Sequence, residues 1–338
     1  MASGDGVSSG FKIYALLVLT LNATFYILLV RFTRARDGQQ YLSTTTVLLT
    51  ECSKLCISLC VLMKTHKGPV GMVKDVYKNV ICDMQDTFKM AVPSVIYAIQ
   101  NNLAFYALTY IDAATYQVTY QLKIITTAMF MVLMLGKQLS RTQWMAIVLL
   151  FFGVALVQLE SIENKEDPSQ QVKFDVRGLV AILLSCLCSG FAGVYFEKIL
   201  KGSETSLWIR NIQLYVFGIA SAGTGVILKD LPAIMSNGFF QGYDRYVFLI
   251  IGMASIGGLY TSIVVKYLDN IIKGFSTAIS IILAALLSVY FFGKHFGILF
   301  LLGTSLVLAA VYLYSIPKKP EQKSSIVNGT LMRPKEVV

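Results

Sequence analysis

Residues 271–293 read IIKGFSTAISIILAALLSVYFFG, and residues 296–316 read FGILFLLGTSLVLAAVYLYSI. Both stretches are almost wholly apolar, and each has the length of about 20 residues that an α-helix needs to cross a bilayer. Only Lys294 and His295 separate them. The two stretches therefore predict a pair of membrane-spanning helices joined by a short connection.

The composition of the whole chain also indicates a membrane protein. Its 338 residues are 55% hydrophobic and 14% charged, whereas a soluble domain carries about 25% charged residues. The net charge of +10 does not indicate a nucleic-acid-binding protein, because the basic residues lie mostly in short connections instead of along one face. The six cysteines and two histidines form no ligand cluster, so we expect no metal site and no cofactor.

Similar apolar runs recur along the chain and predict an all-α membrane protein with ten transmembrane helices. The runs cover residues 11–30, 42–63, 88–109, 113–135, 142–159, 177–198, 206–228, 245–266, 271–293 and 296–316. A polar, acidic connection at 160–176 predicts a division into two five-helix repeats, 1–159 and 177–316, of inverted topology. Many secondary transporters have this plan and bind substrate at the repeat interface. The two halves share no strong sequence identity, so the repeat is an expectation from topology.

The distribution of Lys and Arg predicts the orientation. An even number of spans places both termini on one side, and that side holds 17 basic residues against 9 on the other. Because basic residues are enriched in cytoplasmic connections, we expect both termini in the cytosol. The polar tail 317–338 then reads as a disordered cytosolic segment.

Charged residues within a span are costly, so they face the bundle interior and usually serve a function. The second span carries Glu51 and Lys54 three residues apart, on one helical face. They indicate either an internal ion pair or part of a solute pathway.

The third and fourth spans carry the densest polar groups. Tyr97 and Asn101 lie four residues apart, and side-chain amides offer the paired donors and acceptors that a nucleobase edge requires. Tyr116, Tyr120 and Lys123 form one polar stripe on the fourth span. A lysine at this depth needs an anion, either a ligand phosphate or Glu51 of a neighbouring helix.

The second half supplies further polar groups. Asn211 and Tyr215 repeat the spacing of four residues in the seventh span, and Lys273 lies at the start of the ninth, where a helix N-terminus favours anions. Gly190 in the sixth span allows close backbone approach, for a ligand or simply for helix packing. Together these groups describe an anionic ligand with a flat heterocycle and hydroxyl groups.

Several longer motifs carry a family resemblance. They are Tyr97-Ala-Ile-Gln-Asn-Asn102, Asp112-Ala-Ala-Thr-Tyr-Gln-Val-Thr-Tyr-Gln-Leu-Lys123, Ser189-Gly-Phe-Ala-Gly-Val-Tyr-Phe-Glu-Lys198, Trp208-Ile-Arg-Asn-Ile-Gln-Leu-Tyr215 and Val265-Lys-Tyr-Leu-Asp-Asn-Ile-Ile-Lys-Gly-Phe275. In this order they resemble the Golgi nucleotide-sugar transporters of the drug/metabolite transporter superfamily. Phe11-Lys-Ile-Tyr14, Tyr41-Leu-Ser-Thr-Thr45, Glu204-Thr-Ser-Leu-Trp208 and Gly257-Gly-Leu-Tyr-Thr-Ser262 resemble the CMP-sialic acid branch, whereas Ile125-Thr-Thr-Ala128 resembles the UDP-sugar branches.

The resemblance implies a function and a role for each candidate residue. It implies a multi-pass Golgi antiporter that imports CMP-sialic acid in exchange for CMP, and not an enzyme; a UDP-galactose or UDP-N-acetylglucosamine carrier exchanging UMP is the alternative. A homodimer in the lipid membrane is left open. By this resemblance Tyr97, Asn101 and Ser189 contact the base, Asn211 and Tyr215 the ribose, and Tyr116, Lys123 and Lys273 the phosphate. Glu51 and Lys54 lie near the sugar end or gate.

Overall fold

The computed structural model describes residues 8–36, 39–111, 113–163, 175–292 and 297–316. Within these ranges every regular element is a helix, which confirms the prediction of an all-α protein. The predicted tail 317–338 and most of the predicted connection 160–176 lie outside the described residues.

Ten long helices, α1 to α10, occupy the ten predicted positions. In chain order they are α1 Ser9–Ala35, α2 Ser43–Thr65, α3 Ala91–Tyr110, α4 Ala113–Leu135, α5 Arg141–Glu163, α6 Val176–Lys201, α7 Leu207–Gly225, α8 Arg245–Tyr267, α9 Asn270–Phe292 and α10 Ile298–Ser315. Short helices, Pro69–Val76, Tyr77–Cys82 and Met84–Lys89, connect α2 to α3. The pair Val226–Asp230 and Leu231–Asn237 continues α7 towards α8.

Nine of the long helices in the described part of the chain are long and apolar enough to cross a membrane. The exception is α3, in which Gln100, Asn101 and Asn102 lower the apolar character of a helix of 20 residues. At 1.5 Å per residue α3 is about 30 Å long, which matches the thickness of the bilayer core. The protein is therefore a multi-pass membrane protein.

Helix α4 is not continuous. It begins as the α-helix Ala113–Thr119, narrows into the 3-10 turn Tyr120–Leu122 and resumes as Lys123–Leu135. Such turns within a helix often mark a functional position. Here the turn immediately precedes Lys123, so the backbone changes its winding where the candidate phosphate-binding lysine emerges.

The helices pair in a pattern that repeats after five helices. Helix α3 packs on α6 and α7, just as α8 packs on α1 and α2, and α4 packs on α6 just as α9 packs on α1. When each helix is replaced by the one five positions away, the contacts of α2 with α7, α4 with α9 and α5 with α10 correspond to themselves. This pairing is the one expected for the two five-helix repeats predicted from the sequence, which stay a prediction.

Candidate functional site

A cavity of about 520 Å³ lies at the centre of the bundle. Its walls come from α1, α3, α4, α5, α6, α8 and α9, so both halves of the chain contribute. Known ligand pockets have volumes of about 300–1,000 Å³, and this cavity falls within that range. Four of the predicted site residues line it: Tyr97, Lys123, Ser189 and Lys273. We call these four residues the cavity cluster.

The two cavity lysines have no acidic partner within the part of the chain that the structure describes. Lys123 comes from α4 and Lys273 from α9, and neither takes part in any of the salt bridges found there. The alternative in which Lys123 neutralises Glu51 does not apply, because the Glu51 carboxylate is 2.6 Å from Lys54 Nζ. Among the described residues the cavity lining holds these two cations and no carboxylate, so the cavity is electrostatically suited to an anion.

Tyr116 and Tyr120 form a stacked aromatic pair behind the cavity lysine of α4. Their ring centroids are 5.5 Å apart with 11° between the planes, and Lys123 Nζ lies 4.3 Å from the Tyr120 centroid. A cation over an aromatic face is attracted by the ring quadrupole. Neither tyrosine is among the residues that line the cavity. The stripe predicted on α4 therefore divides, with Lys123 in the cavity and the tyrosines supporting it.

A short hydrogen-bonded relay connects α3, α4 and α6 at the cavity wall. Gln100 Nε2 donates to the Tyr120 hydroxyl at 2.7 Å, and this hydroxyl donates to Ser189 Oγ at 3.4 Å. Because Ser189 Oγ accepts this hydrogen bond from Tyr120, the Ser189 hydroxyl hydrogen is available to point into the cavity. The relay gives Ser189 the character of a donor towards a ligand.

Gly190 serves helix packing. A Cβ atom at this position would lie 2.7 Å from Thr126 Oγ1 and 2.9 Å from the backbone nitrogen of Thr127. The glycine therefore brings α6 against α4, one residue after Ser189. It acts on the site by setting the distance between these two helices, and it is not among the cavity-lining residues.

Several polar cavity residues were missed by the sequence reasoning, among them Asn22 on α1 and Asn270 at the start of α9. Asn22 Nδ2 donates to the backbone oxygen of Met253 at 3.0 Å, and Asn270 Nδ2 donates to that of Gly193 at 2.6 Å. Asn270 Oδ1 is buried and has no hydrogen-bond partner among the described residues. An amide within the apolar run 11–30 was the signal that could have identified Asn22.

The remaining polar candidates form a second group, the α2–α7 cluster of Glu51, Lys54, Asn211 and Tyr215. Lys54 Nζ binds Glu51 at 2.6 Å and lies 4.5 Å from the centroid of the Tyr215 ring. Asn211, one helical turn before Tyr215, is fully buried, and neither polar atom of its side chain has a hydrogen-bond partner in the described ranges. None of these four residues lines the cavity.

Asn101 is placed differently from the prediction that joined it to Tyr97 on one binding face. It is exposed and is not among the cavity-lining residues. Four residues on a helix correspond to a rotation of about 400°, so Asn101 is turned by roughly 40° from Tyr97. At the edge of a cavity this rotation is enough to separate the two side chains.

Comparison with known proteins decides the family. A model of the family described as "Nucleotide-sugar transporter" matches residues 7–315, which is nearly all of the chain that contains the helices. The chain belongs to the nucleotide-sugar transporter family. This confirms the family resemblance carried by the motifs on α3, α4, α6, α7 and α9.

Individual relatives agree with this membership, and a solved structure shares the fold. The chain is 46% identical to the mouse UDP-galactose translocator over 308 residues, covering 91% of this chain and 79% of that protein. It is 44% identical to the rat UDP-N-acetylglucosamine transporter over 322 residues, covering 93% of this chain and 98% of that protein. One crystal structure superimposes with a TM-score of 0.67 over 91% of this chain and 97% of the other, and its 11% identity shows a shared fold alone.

Proposed function

We propose that this protein is an antiporter that carries a UDP-sugar, either UDP-galactose or UDP-N-acetylglucosamine, across the Golgi membrane in exchange for UMP. One observation carries the proposal: two lysines from opposite halves of the bundle face one central cavity without a carboxylate partner in the described residues. Hydrogen bonds between charged groups are roughly twice as strong as neutral ones. A phosphate group, common to the nucleotide sugar and the nucleotide, satisfies both lysines.

The rest of the cavity suits a nucleoside. Tyr97 offers an aromatic face, and the relay leaves the Ser189 hydroxyl able to donate to an acceptor. Uracil presents carbonyl oxygens along its edge, whereas cytosine presents an exocyclic amine in place of one of them. A donor at Ser189 thus agrees better with uracil, although it can also meet the carbonyl of cytosine.

The names of the relatives support the same choice. Proteins 44–46% identical to the chain are named for UDP-galactose and UDP-N-acetylglucosamine. They favour the UDP-sugar alternative over the CMP-sialic acid branch that the motifs near α1, α2 and α8 indicate. In this proposal Ile125-Thr-Thr-Ala128, directly after Lys123, is the more informative motif because it adjoins the phosphate site.

The helix pairing supports exchange by alternating access. If the units 1–159 and 177–316 are inverted repeats, either side of the membrane can reach one central site when they rock against each other. At the end of the bundle assigned to the cytosol, Lys137 pairs with Asp269, and Lys201 binds Glu197 at 2.6 Å. At the opposite end, Arg36 pairs with Asp244 at 2.5 Å. The Lys137–Asp269 and Arg36–Asp244 pairs join different helices or connections and are candidates for contacts that open and close in the cycle. Lys201 and Glu197 lie one turn apart on α6.

Exchange in proteoliposomes tests the proposal. Vesicles containing the purified protein are loaded with UMP, CMP or buffer, and uptake of labelled UDP-galactose, UDP-N-acetylglucosamine and CMP-sialic acid is measured. We expect UMP-loaded vesicles to take up a UDP-sugar at least about tenfold faster than CMP-loaded ones. Uptake of CMP-sialic acid driven by internal CMP would overturn the UDP-sugar assignment, and no stimulation by either nucleotide would overturn the antiporter.

A further inference from the structure

The connection between α2 and α3 presents an amphipathic surface of its own. It runs through the helices Pro69–Val76, Tyr77–Cys82 and Met84–Lys89. Because it links the ends of two membrane-spanning helices, it lies near the level of the bilayer surface. We call it the α2–α3 connection.

One face of the α2–α3 connection is anchored to the bundle. Met72, Val76 and Val80 pack against a buried cluster that contains Leu62, Ile209 and Ile212. The charged contacts of this face are also satisfied. The Asp86 carboxylate is 2.6 Å from Arg210 Nη1, and Gln213 Nε2 donates to the backbone oxygen of Asn79 at 2.8 Å.

The opposite face carries an uncovered apolar stripe. Along the consecutive helices Pro69–Val76 and Tyr77–Cys82, successive members are separated by three or four residues, and each is more than half exposed: Val70 81%, Val73 59%, Tyr77 58% and Ile81 55%. This spacing places them on one side of a helix. Phe88 in the last helix is not part of the stripe, because its ring packs against Phe217 of α7 with the centroids 5.9 Å apart. A surface helix in water would not expose such a stripe, whereas a helix in the interfacial plane of a bilayer buries it among headgroups and acyl chains.

Basic residues flank this stripe. Lys74 and Lys78 are exposed, and neither takes part in an ion pair found in the described ranges. Nearby acids are occupied elsewhere: Asp75 lies 3.0 Å from His66 Nε2 and accepts from Asn79 Nδ2 at 2.7 Å. Asp83 is also exposed and accepts from the backbone nitrogen of Asp86 at 3.1 Å. The charges of Lys74 and Lys78 are therefore not neutralised by an ion pair in the described ranges.

The connection between α7 and α8 provides an internal contrast. It too exposes large apolar side chains, among them Leu228 at 80% and Met235 at 81%. Its helices, however, hold only Lys229 as a basic residue, next to Asp230. Both connections have apolar surfaces suited to a membrane interface, but the α2–α3 connection combines that surface with two exposed lysines that form no ion pair in the described ranges, whereas the α7–α8 connection has the single Lys229, which lies over the Phe105 ring.

We propose that the α2–α3 connection binds the headgroups of anionic phospholipids in the leaflet on which it lies. The apolar stripe inserts below the headgroups, and Lys74 and Lys78 contact lipid phosphate or carboxylate groups from its flank. Its opposite face rests on the start of α7 through Arg210 and Gln213, so the bound lipid is coupled to a helix of the transporter.

Native mass spectrometry of the full-length protein tests this proposal. The purified protein is titrated with phosphatidylserine or phosphatidylcholine, and lipid retention is compared between wild type and the variant Lys74→Gln/Lys78→Gln. Each lysine near an anionic surface contributes about 1 kcal/mol, so we expect phosphatidylserine binding to weaken by about thirtyfold. Phosphatidylcholine binding should be unchanged.

The matched control is Lys12→Gln/Lys198→Gln, which removes the same charge from the same end of the bundle but away from the stripe. It should retain phosphatidylserine nearly as wild type does, and both variants should bind UMP and melt like wild type. The proposal is overturned if the control loses as much phosphatidylserine as Lys74→Gln/Lys78→Gln. It is also overturned if wild type retains both lipids equally.

Discussion

The cavity cluster and the α2–α7 cluster each place a lysine against a tyrosine ring inside the bundle. Lys123 Nζ is 4.3 Å from the Tyr120 centroid, and Lys54 Nζ is 4.5 Å from the Tyr215 centroid. The two clusters differ in the charged group that accompanies this lysine. Lys54 has the Glu51 carboxylate at 2.6 Å, whereas Lys123 shares its cavity with a second lysine, Lys273.

This difference distinguishes a lysine that stabilises the fold from a lysine that is available to bind a ligand. A paired lysine is neutralised by its own protein and requires nothing from a ligand. A lysine held in a cavity by packing, without a carboxylate, has its charge available for a phosphate. The comparison predicts that changes in the Glu51–Lys54 ion pair act first on stability, and that changes in the cavity lysines act first on binding.

Breaking the Glu51–Lys54 ion pair on α2 should have the largest effect. The side chains of Lys54 and Glu51 are 13% and 17% exposed, respectively. Glu51→Gln therefore leaves a mostly buried lysine without its carboxylate partner. Removing one member of a buried pair costs about 3–5 kcal/mol, so the melting temperature in detergent should fall strongly. The double variant Glu51→Gln/Lys54→Met should recover most of the loss, since no charge is left unpaired. An unchanged melting temperature for Glu51→Gln would contradict a structural role.

Removing one cavity lysine should weaken nucleotide binding with little loss of stability. A hydrogen bond to a charged group contributes about 1.5–3 kcal/mol, so Lys123→Gln or Lys273→Gln should raise the Kd for UMP by about ten- to hundredfold. The control is Lys266→Gln. Lys266 lies at the end of α8, just before the start of α9 that carries Lys273, and it is outside the cavity lining, so this variant should bind UMP normally. Adding Glu51→Ala to Lys123→Ala should not restore binding; restoration would mean that Lys123 mainly neutralises Glu51.

Replacing Asn211 should have a smaller effect, which falls on ligand exchange and not on the stability of the ligand-free protein. Its buried amide has no partner in the described part of the structure, and an unsatisfied buried polar group is costly. We propose that a ligand contacts it in another state of the transport cycle. Asn211→Ala should then leave the melting temperature of the ligand-free protein unchanged or higher, and raise the half-saturating concentration for exchange by about tenfold or less.

Asn270 is the contrasting amide for this test. Its Nδ2 atom donates to Gly193 and Glu197, so Asn270→Ala should lower the melting temperature. If Asn211→Ala destabilises the ligand-free protein as much as Asn270→Ala, the amide of Asn211 already has a structural role and the proposal fails.

Much of the fold could be predicted from the sequence because apolar runs of membrane-spanning length report directly on spanning helices. Even α3, too polar to meet the same criterion, was identified by its length and by the apolar residues around Gln100. The 3-10 turn at Tyr120–Leu122 was not foreseen, since residues with ordinary helical preferences form it.

The site was predictable in part. A lysine within an apolar run needs an anion or water wherever its helix lies, so Lys123 and Lys273 could be nominated without knowing their neighbours. Which partner each polar group meets depends on how the helices rotate and pack. Residue spacing could therefore not show that Glu51 pairs with Lys54 instead of Lys123, or that Asn101 lies outside the cavity that Tyr97 lines. It also could not show that Asn270 lines this cavity.

The central claim is that Lys123 and Lys273 hold the phosphate of the ligand, and comparing UMP with uridine tests it most directly. Binding of both compounds is measured by titration calorimetry on wild type and on Lys123→Gln/Lys273→Gln. In wild type we expect UMP to bind at least about a hundredfold more tightly than uridine, since the phosphate contributes charged hydrogen bonds. In the double variant the two Kd values should agree within about threefold. A preference for UMP that persists undiminished in the double variant would contradict the account.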